Sequence, residues 1–199
     1  MYGQYLKLQE KLAGKVAVKD SFESIKTVCA VDVSYKNKTA FASAVIVDKK
    51  TFQVIEHINS KNVITSPYIS GLLFLREAPP AMAALGSLKN NYDLLLVDGH
   101  GQLHPRKCGL ACYLGLALDK PTIGVAKTLL CGKIKNDSVL VDGKILGVVI
   151  RTKKTLFVSV GHKISLKTAK DVVVELIQGG QWMPEPLRLA DLYSKTQDK

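Results

Sequence analysis

The sequence predicts an α/β fold in which a mixed β-sheet is flanked by helices. Three observations lead there. Strand-like runs come first as a meander and then alternate with helical segments, the order that packs helices onto a mixed sheet. Two short apolar runs, at residues 94–97 and 122–126, are uninterrupted, as in strands covered on both faces. The chain has 199 residues and 47% hydrophobic content, which fits one globular domain spanning 1–199.

Taken in order, residues 4–12 place Tyr5, Leu8 and Leu12 at helical spacing before Gly14, a stop signal. Residues 27–35 and 39–48 read as strands joined through Lys36-Asn37-Lys38, a hairpin turn. A third strand covers 53–64 and ends at Thr65-Ser66-Pro67, and residues 68–77 match no single template. Pro79-Pro80 fits the first turn of a helix running to about Lys89, because proline is tolerated there and not deeper. The apolar strand Leu94-Leu95-Leu96-Val97 stops at Asp98-Gly99-His100-Gly101, a tight loop. Residues 110–118 are helical in pattern and 122–126 form another buried strand. From Val139 the chain is strand-rich again, with Asp142-Gly143 as a hairpin signal. Ser165 caps a helix through Leu176, and a last short helix follows Pro186.

Charge narrows the partner. There are 28 Lys and Arg against 17 Asp and Glu, a net charge of +11, of which +8 lies beyond residue 100. A pI near 9.5 with that skew points to a polyanion, nucleic acid before membrane. No stretch approaches the ~20 apolar residues of a membrane span. The opening Met1-Tyr2-Gly3-Gln4-Tyr5 is not a secretory signal, so a cytoplasmic protein with reduced Cys29, Cys108, Cys112 and Cys131 is expected.

Two aspartates carry the chemical argument. Asp32 interrupts the apolar strand around Ala30-Val31 and Val33, and Asp98 ends the run 94–97. An unpartnered buried carboxylate costs several kcal/mol, of the order of a domain's whole stability margin. A structural ion pair for Asp32 and a turn role for Asp98 would satisfy each alone. Together with Glu77, they supply hard oxygen donors suited to Mg²⁺, which keeps waters for a substrate phosphate. Lys127 follows an apolar strand, so its ammonium should emerge at a sheet end. His100, His104, Cys108 and Cys112 recur every fourth residue, but Gly99, Gly101 and Pro105 break the helix a zinc stripe would need, leaving the two cysteines as helix-packing residues. Neither a phosphate loop nor a Gly-x-Ser-x-Gly elbow is present. Lys133, Lys135, Lys144, Arg151, Lys153, Lys154 and Lys163 are candidates to track a phosphate backbone, against the alternative of a solvated charged surface.

Several segments in register resemble the endonuclease V family. These are Val31-Asp32-Val33-Ser34-Tyr35, Pro67-Tyr68-Ile69 with Gly71-Leu72-Leu73-Phe74-Leu75-Arg76-Glu77, Val97-Asp98-Gly99-His100-Gly101, His104-Pro105-Arg106, Gly109-Leu110-Ala111, 121–127 and Gly161-His162-Lys163-Ile164. The resemblance covers about Gln9 to Leu176. It implies an RNase H-like fold and Mg²⁺-dependent hydrolysis, with Mn²⁺ as a substitute, of the second phosphodiester 3′ to deoxyinosine, leaving 3′-hydroxyl and 5′-phosphate ends.

Carried onto this sequence, the resemblance makes Asp32 and Asp98 the principal metal ligands, with Glu77 and His162 completing the acidic site or ordering its water shell and Lys127 steadying the phosphate or the attacking water. Tyr68 belongs to a wedge that fills the gap left by the rotated base, and Gly71, Leu73 and Gly99 line the lesion pocket. Three positions depart from the family pattern: Ser70 stands for the second proline of the wedge, Tyr113 for a histidine, and Val160 for a proline. The expected partner is deoxyinosine-containing DNA bound by a monomer. The competing readings are a ribonuclease acting on inosine in RNA, and a non-catalytic nucleic-acid-binding module.

Overall fold

A computed structural model describes residues 2–196. The chain runs α1 (Gly3–Ala13), β1 (Thr27–Lys36), β2 (Thr39–Asp48), β3 (Val54–Val63), α2 (Phe74–Gly86), β4 (Leu94–Asp98), α3 (Leu110–Leu118) and β5 (Thr122–Ala126). It continues with β6 (Lys133–Lys135), β7 (Ser138–Val141), β8 (Lys144–Arg151), β9 (Thr155–His162), α4 (Leu166–Glu175) and α5 (Glu185–Thr196). The nine strands among the described residues join one sheet in the order β3-β2-β1-β4-β5-β9-β8-β7-β6. The pairs β1–β4 and β4–β5 are parallel and the other strand pairs antiparallel, so the expected mixed sheet flanked by helices is what forms.

Strand parity sorts the core into layers, because successive side chains leave opposite faces. Val28, Ala30, Leu94, Leu96 and Ile123 meet α4 and α5 on one face. Cys29, Val31, Leu95 and Val97 meet α2 and α3 on the other. A smaller cluster around Leu103, Val139 and Phe157 fills the space where the 99–109 loop crosses β7, β8 and β9. All four cysteines are free thiols, and no helix among the described residues is long and apolar enough to cross a membrane.

The expected hairpin, both apolar strands and α3 fall where the residue pattern puts them. Ser165 caps α4 by accepting from the Thr168 amide at 3.1 Å. Three elements differ. The helix assigned to Pro79-Pro80 begins at Phe74, so both prolines sit inside it and withhold amides from its second turn. An interior proline costs ~3 kcal/mol or more. Here burial of Pro80, Ala81, Ala84 and Leu85 against the sheet offsets that cost, and packing overrides propensity. The last helix starts one residue before Pro186, and the three-residue edge strand β6 lacks a readable pattern. Cys112 packs within α3 as expected, but Cys108 precedes that helix in the buried loop.

The loop after β4 packs backbone against backbone. A Cβ on Gly101 would lie 2.1 Å from the Val160 carbonyl oxygen, which also accepts the Gln102 amide. Gly101→Ala should therefore cost about 3 kcal/mol, the upper end for overpacking. That corresponds to a Tm fall of roughly 6–12 °C for a chain of this size. Gly86→Ala, at a position with open space around it, should leave Tm within about 2 °C. Thermal melts of the two variants check the contrast.

Candidate active site

The register of the parallel strands builds the site. Val31 pairs with Val97 across β1 and β4, so the next residues on each strand, Asp32 and Asp98, emerge side by side. Asp32 has the parity of Val28 and Ala30 and Asp98 that of Leu94 and Leu96, which places both beneath α5. The β1–β2 hairpin runs on past the end of β4 and walls a cleft of about 1010 Å³. Glu77 reaches the same cleft from α2 on the opposite face. Tyr35, on the α2 side of β1, donates its hydroxyl to Glu77 Oε1 at 3.2 Å, and the Arg76 guanidinium lies 4.2 Å from the Tyr35 ring centre.

Lys127 follows β5 directly, and its Nζ sits 2.5 Å from Asp98 Oδ2 and 3.7 Å from Asp191 Oδ1. Ser194, itself buried, donates to Asp32 Oδ2 at 3.0 Å. Asp191 and Ser194 come from α5, and no sequence pattern marks them. The available signal was a carboxylate on the amphipathic helix after Pro186, which is indistinguishable from a solvated helical face until the helix docks.

Electrostatics mark the cluster as short of positive charge. Burial raises the Asp32 carboxyl to about 7, helped by the Asp98 charge and a hydrogen bond with Asp98 and opposed by Lys127. Burial likewise raises Glu77 to about 8, with Asp32 adding to it. Burial alone would lower the Lys127 ammonium, but Asp98 and Asp32 outweigh it and hold it above its ordinary value. No three His, Cys, Asp or Glu side chains among the described residues are already gathered as a metal cage. Mg²⁺ needs none: it binds through one or two carboxylates and keeps its remaining waters. Adjacent, under-compensated Asp32 and Asp98, with Glu77 and Asp191 on the same cleft, fit such an ion.

The residues expected to read the lesion share one cleft with the carboxylates. Tyr68, Gly71, Leu73 and Gly99 all line this cleft. Tyr68 is 66% exposed, so it is not a core residue.

His162 is the correction. It ends β9 opposite Thr122, at the beginning of β5, whereas Lys127 lies at the other end of that strand. His162 Nδ1 accepts the Ala17 amide at 3.2 Å and its Nε2 faces Asp119 at 3.6 Å, so it clasps the N-terminal segment rather than joining the carboxylates. A polar residue at a strand end looks the same in sequence at either end of the sheet. Lys163 goes with it, 2.6 Å from Asp119. Lys153 and Lys154 occupy the β8–β9 turn, at the end where β5 finishes, with Lys154 4.4 Å above the Trp182 ring. Lys133 and Lys135 are exposed on β6. These five lysines therefore form no single patch. Tyr113 packs on Phe74 with ring centres 4.9 Å apart, and Val160 is core, so neither departure touches the cleft.

A family model described as endonuclease V matches residues 10–192. An endonuclease V of Thermofilum pendens is 45% identical over 195 residues, covering 94% of this chain and 84% of that protein. The crystal structure of a Bacillus subtilis endonuclease V superimposes with a TM-score of 0.91 at 30% identity, covering 100% of this chain and 92% of that one. A Ciona intestinalis endonuclease V, in complex with a 24mer DNA containing an inosine followed by a ribo-adenosine, superimposes with a TM-score of 0.86 at 27% identity, covering 98% and 96%.

The raised carboxyls set a pH dependence. A group whose pKa is higher folded than unfolded stabilises the fold below its unfolded pKa, and that contribution is lost as pH rises through the folded value. For Asp32 and Glu77 the window runs from about pH 4 to about 8. In EDTA, the chain should lose stability between pH 5 and 8.5, by an amount on the order of a few kcal/mol. The Asp32→Asn/Glu77→Gln variant should lose much less over the same range. Added Mg²⁺ should raise Tm more at pH 8.5 than at pH 5. Equal pH dependence in the two chains, read by thermal melts, would detach the effect from these carboxyls.

Proposed function

The chain belongs to the endonuclease V family and is an endonuclease, and from that premise we propose that it nicks DNA beside deoxyinosine with Mg²⁺ as cofactor. In this reading it hydrolyses the second phosphodiester 3′ to the lesion, leaves 3′-hydroxyl and 5′-phosphate ends, and works as a cytoplasmic monomer. The supporting observation is the convergence of Asp32, Glu77, Asp98 and Lys127 with an exposed aromatic loop on one cleft.

Asp32 and Asp98 would hold the ion, with Asp191 adjoining. When bound, Mg²⁺ polarises the scissile phosphate and lowers the pKa of water. The protein supplies placement. Ser194 fixes one oxygen of Asp32, and Tyr35 fixes Glu77 Oε1, leaving Glu77 Oε2 to orient a water. Lys127 neutralises Asp98 and presents its ammonium to negative charge developing on the phosphate. On the recognition side Tyr68 would fill the space vacated by the rotated base, and the backbone at Gly71, Leu73 and Gly99 would read the base in its pocket. Ser70 in place of a proline leaves the tip of that wedge without a fixed φ.

Inosine in RNA is the second reading, favoured by the ribo-adenosine after inosine in the nucleic acid bound by the Ciona protein. Parallel cleavage of matched DNA and RNA duplexes separates the two.

Asp98→Asn keeps shape and removes charge. It should abolish nicking of an inosine duplex at saturating Mg²⁺ while leaving inosine-dependent binding in gel shift largely in place. Turnover near that of the parent chain would displace Asp98 from the metal site.

Tyr68→Ala should leave Tm within about 2 °C, because the ring is exposed, whereas a buried aromatic would cost ~3–5 kcal/mol. It should still lose inosine selectivity, and lose more on duplex than on single strands, where less unstacking is required. Equal losses on both substrates would remove the wedge role.

A further inference from the structure

Helix α1 has one buried residue, and that residue is a glutamine. Gln9 is 2% exposed, and both ends of its amide are engaged. Its Oε1 accepts from Arg106 Nε at 2.7 Å, and its Nε2 donates to the Cys108 carbonyl at 2.8 Å. Arginine has only donors, so the orientation of the amide follows from chemistry. The same guanidinium donates from Nη2 to the Gly71 carbonyl at 2.7 Å. His104 Nε2 meets that carbonyl as well, at 3.0 Å. Its Nδ1 accepts the Arg106 amide at 3.2 Å, so Nε2 carries the proton.

Both lone pairs of the Gly71 carbonyl are therefore used, in the loop that carries Tyr68 and opens into Leu73. Gly71 has φ +76°, and a Cβ there would lie 2.9 Å from Arg106 Nη2, so the backbone is shaped to receive the guanidinium. A free arginine side chain loses rotamer entropy on ordering. Gln9 meets that cost from outside the loop, holding the fork before any substrate arrives.

We infer that Gln9 is a positioning residue for lesion recognition: through Arg106 it fixes the Gly71 carbonyl and so sets the shape of the 67–73 loop. The inference rests on the inosine reading above for its consequence in catalysis, and on the hydrogen-bond chain alone for its consequence in structure. The test therefore has two arms. Gln9→Leu keeps an apolar body of similar length and removes the acceptor. Gln9→Glu keeps an acceptor for Arg106, now charged, and replaces the donor to Cys108 with a second oxygen.

In the first arm, hydrogen exchange of the 69–73 amides should quicken at least 10-fold in Gln9→Leu and by less than 3-fold in Gln9→Glu, whatever the true substrate. Equal exchange in Gln9→Leu and the parent chain, or equal acceleration in both variants, overturns the inference. In the second arm, Gln9→Leu should lose about 10-fold or more in kcat/KM on an inosine duplex. The loss should fall mainly in KM, and Gln9→Glu should recover most of it. A loss confined to kcat, or no recovery in Gln9→Glu, also overturns it. Should the parent chain show no preference for inosine over adenine, the inosine reading fails and the exchange arm still decides the role of Gln9.

Discussion

Crowded negative charge is the constraint around which this molecule is arranged. Asp32 and Glu77 are largely buried, Asp98 lies against Asp32, and Lys127 answers only part of their charge. Two like charges 4 Å apart repel by ~4 kcal/mol at an effective dielectric of 20, a large fraction of a domain's stability. A chain that keeps such a cluster must hold it from all sides. Asp32 and Asp98 are set by strand register, Glu77 by a helix with two prolines pressed onto the sheet, and Asp32 again by Ser194. In the free chain retained protons relieve the repulsion. A divalent cation can relieve it with its full charge and bring its own water. In the proposed reading, the rigidity that already holds the carboxylates together would spare reorganisation when an ion and substrate bind.

The sheet then separates chemistry from fastening. Open α/β sheets collect ligands at the carboxyl ends of their parallel strands, where Asp98 closes β4 and Lys127 follows β5. The opposite end of β5 carries His162, Asp119 and Lys163, bound to one another and to the N-terminal segment through the Ala17 amide. Both ends of the strand thus display histidine, lysine or carboxylate. Only at one end do several carboxylates lack enough cation.

This also explains what the sequence reveals and what it hides. Period-two strands, uninterrupted apolar runs and local turn chemistry are properties of short segments, so β1, β2, β4, α3 and β5 are legible with their bounds close to those observed. Asp32, Asp98 and Lys127 are legible because a charged group breaking or ending an apolar run demands a reason wherever it lies, whereas Glu77 follows Arg76 and ends no such run. Three features are not local. The start of α2 at Phe74 depends on core packing outweighing two prolines. Excluding His162 from the acidic site depends on β9 running antiparallel to β5. Asp191 and Ser194 sit on a helix whose polar residues look like a solvent face until α5 docks on β1 and β2.

That docking joins distant parts of the chain. Ser194 lies 162 residues from Asp32, and its carbonyl accepts from Ser34 across 160 residues. Gln9 lies 97 residues from its partner Arg106. The first helix therefore braces the 67–73 loop through Arg106 and the last helix braces the carboxylates, with the cleft between them. Neither half can take shape in a local hairpin or a single βα unit, because loop closure must be met before such contacts form. The parts that are legible segment by segment make the platform. The parts that shape the cleft above it belong to the folded chain as a whole, and each is secured by hydrogen bonds between groups far apart in sequence.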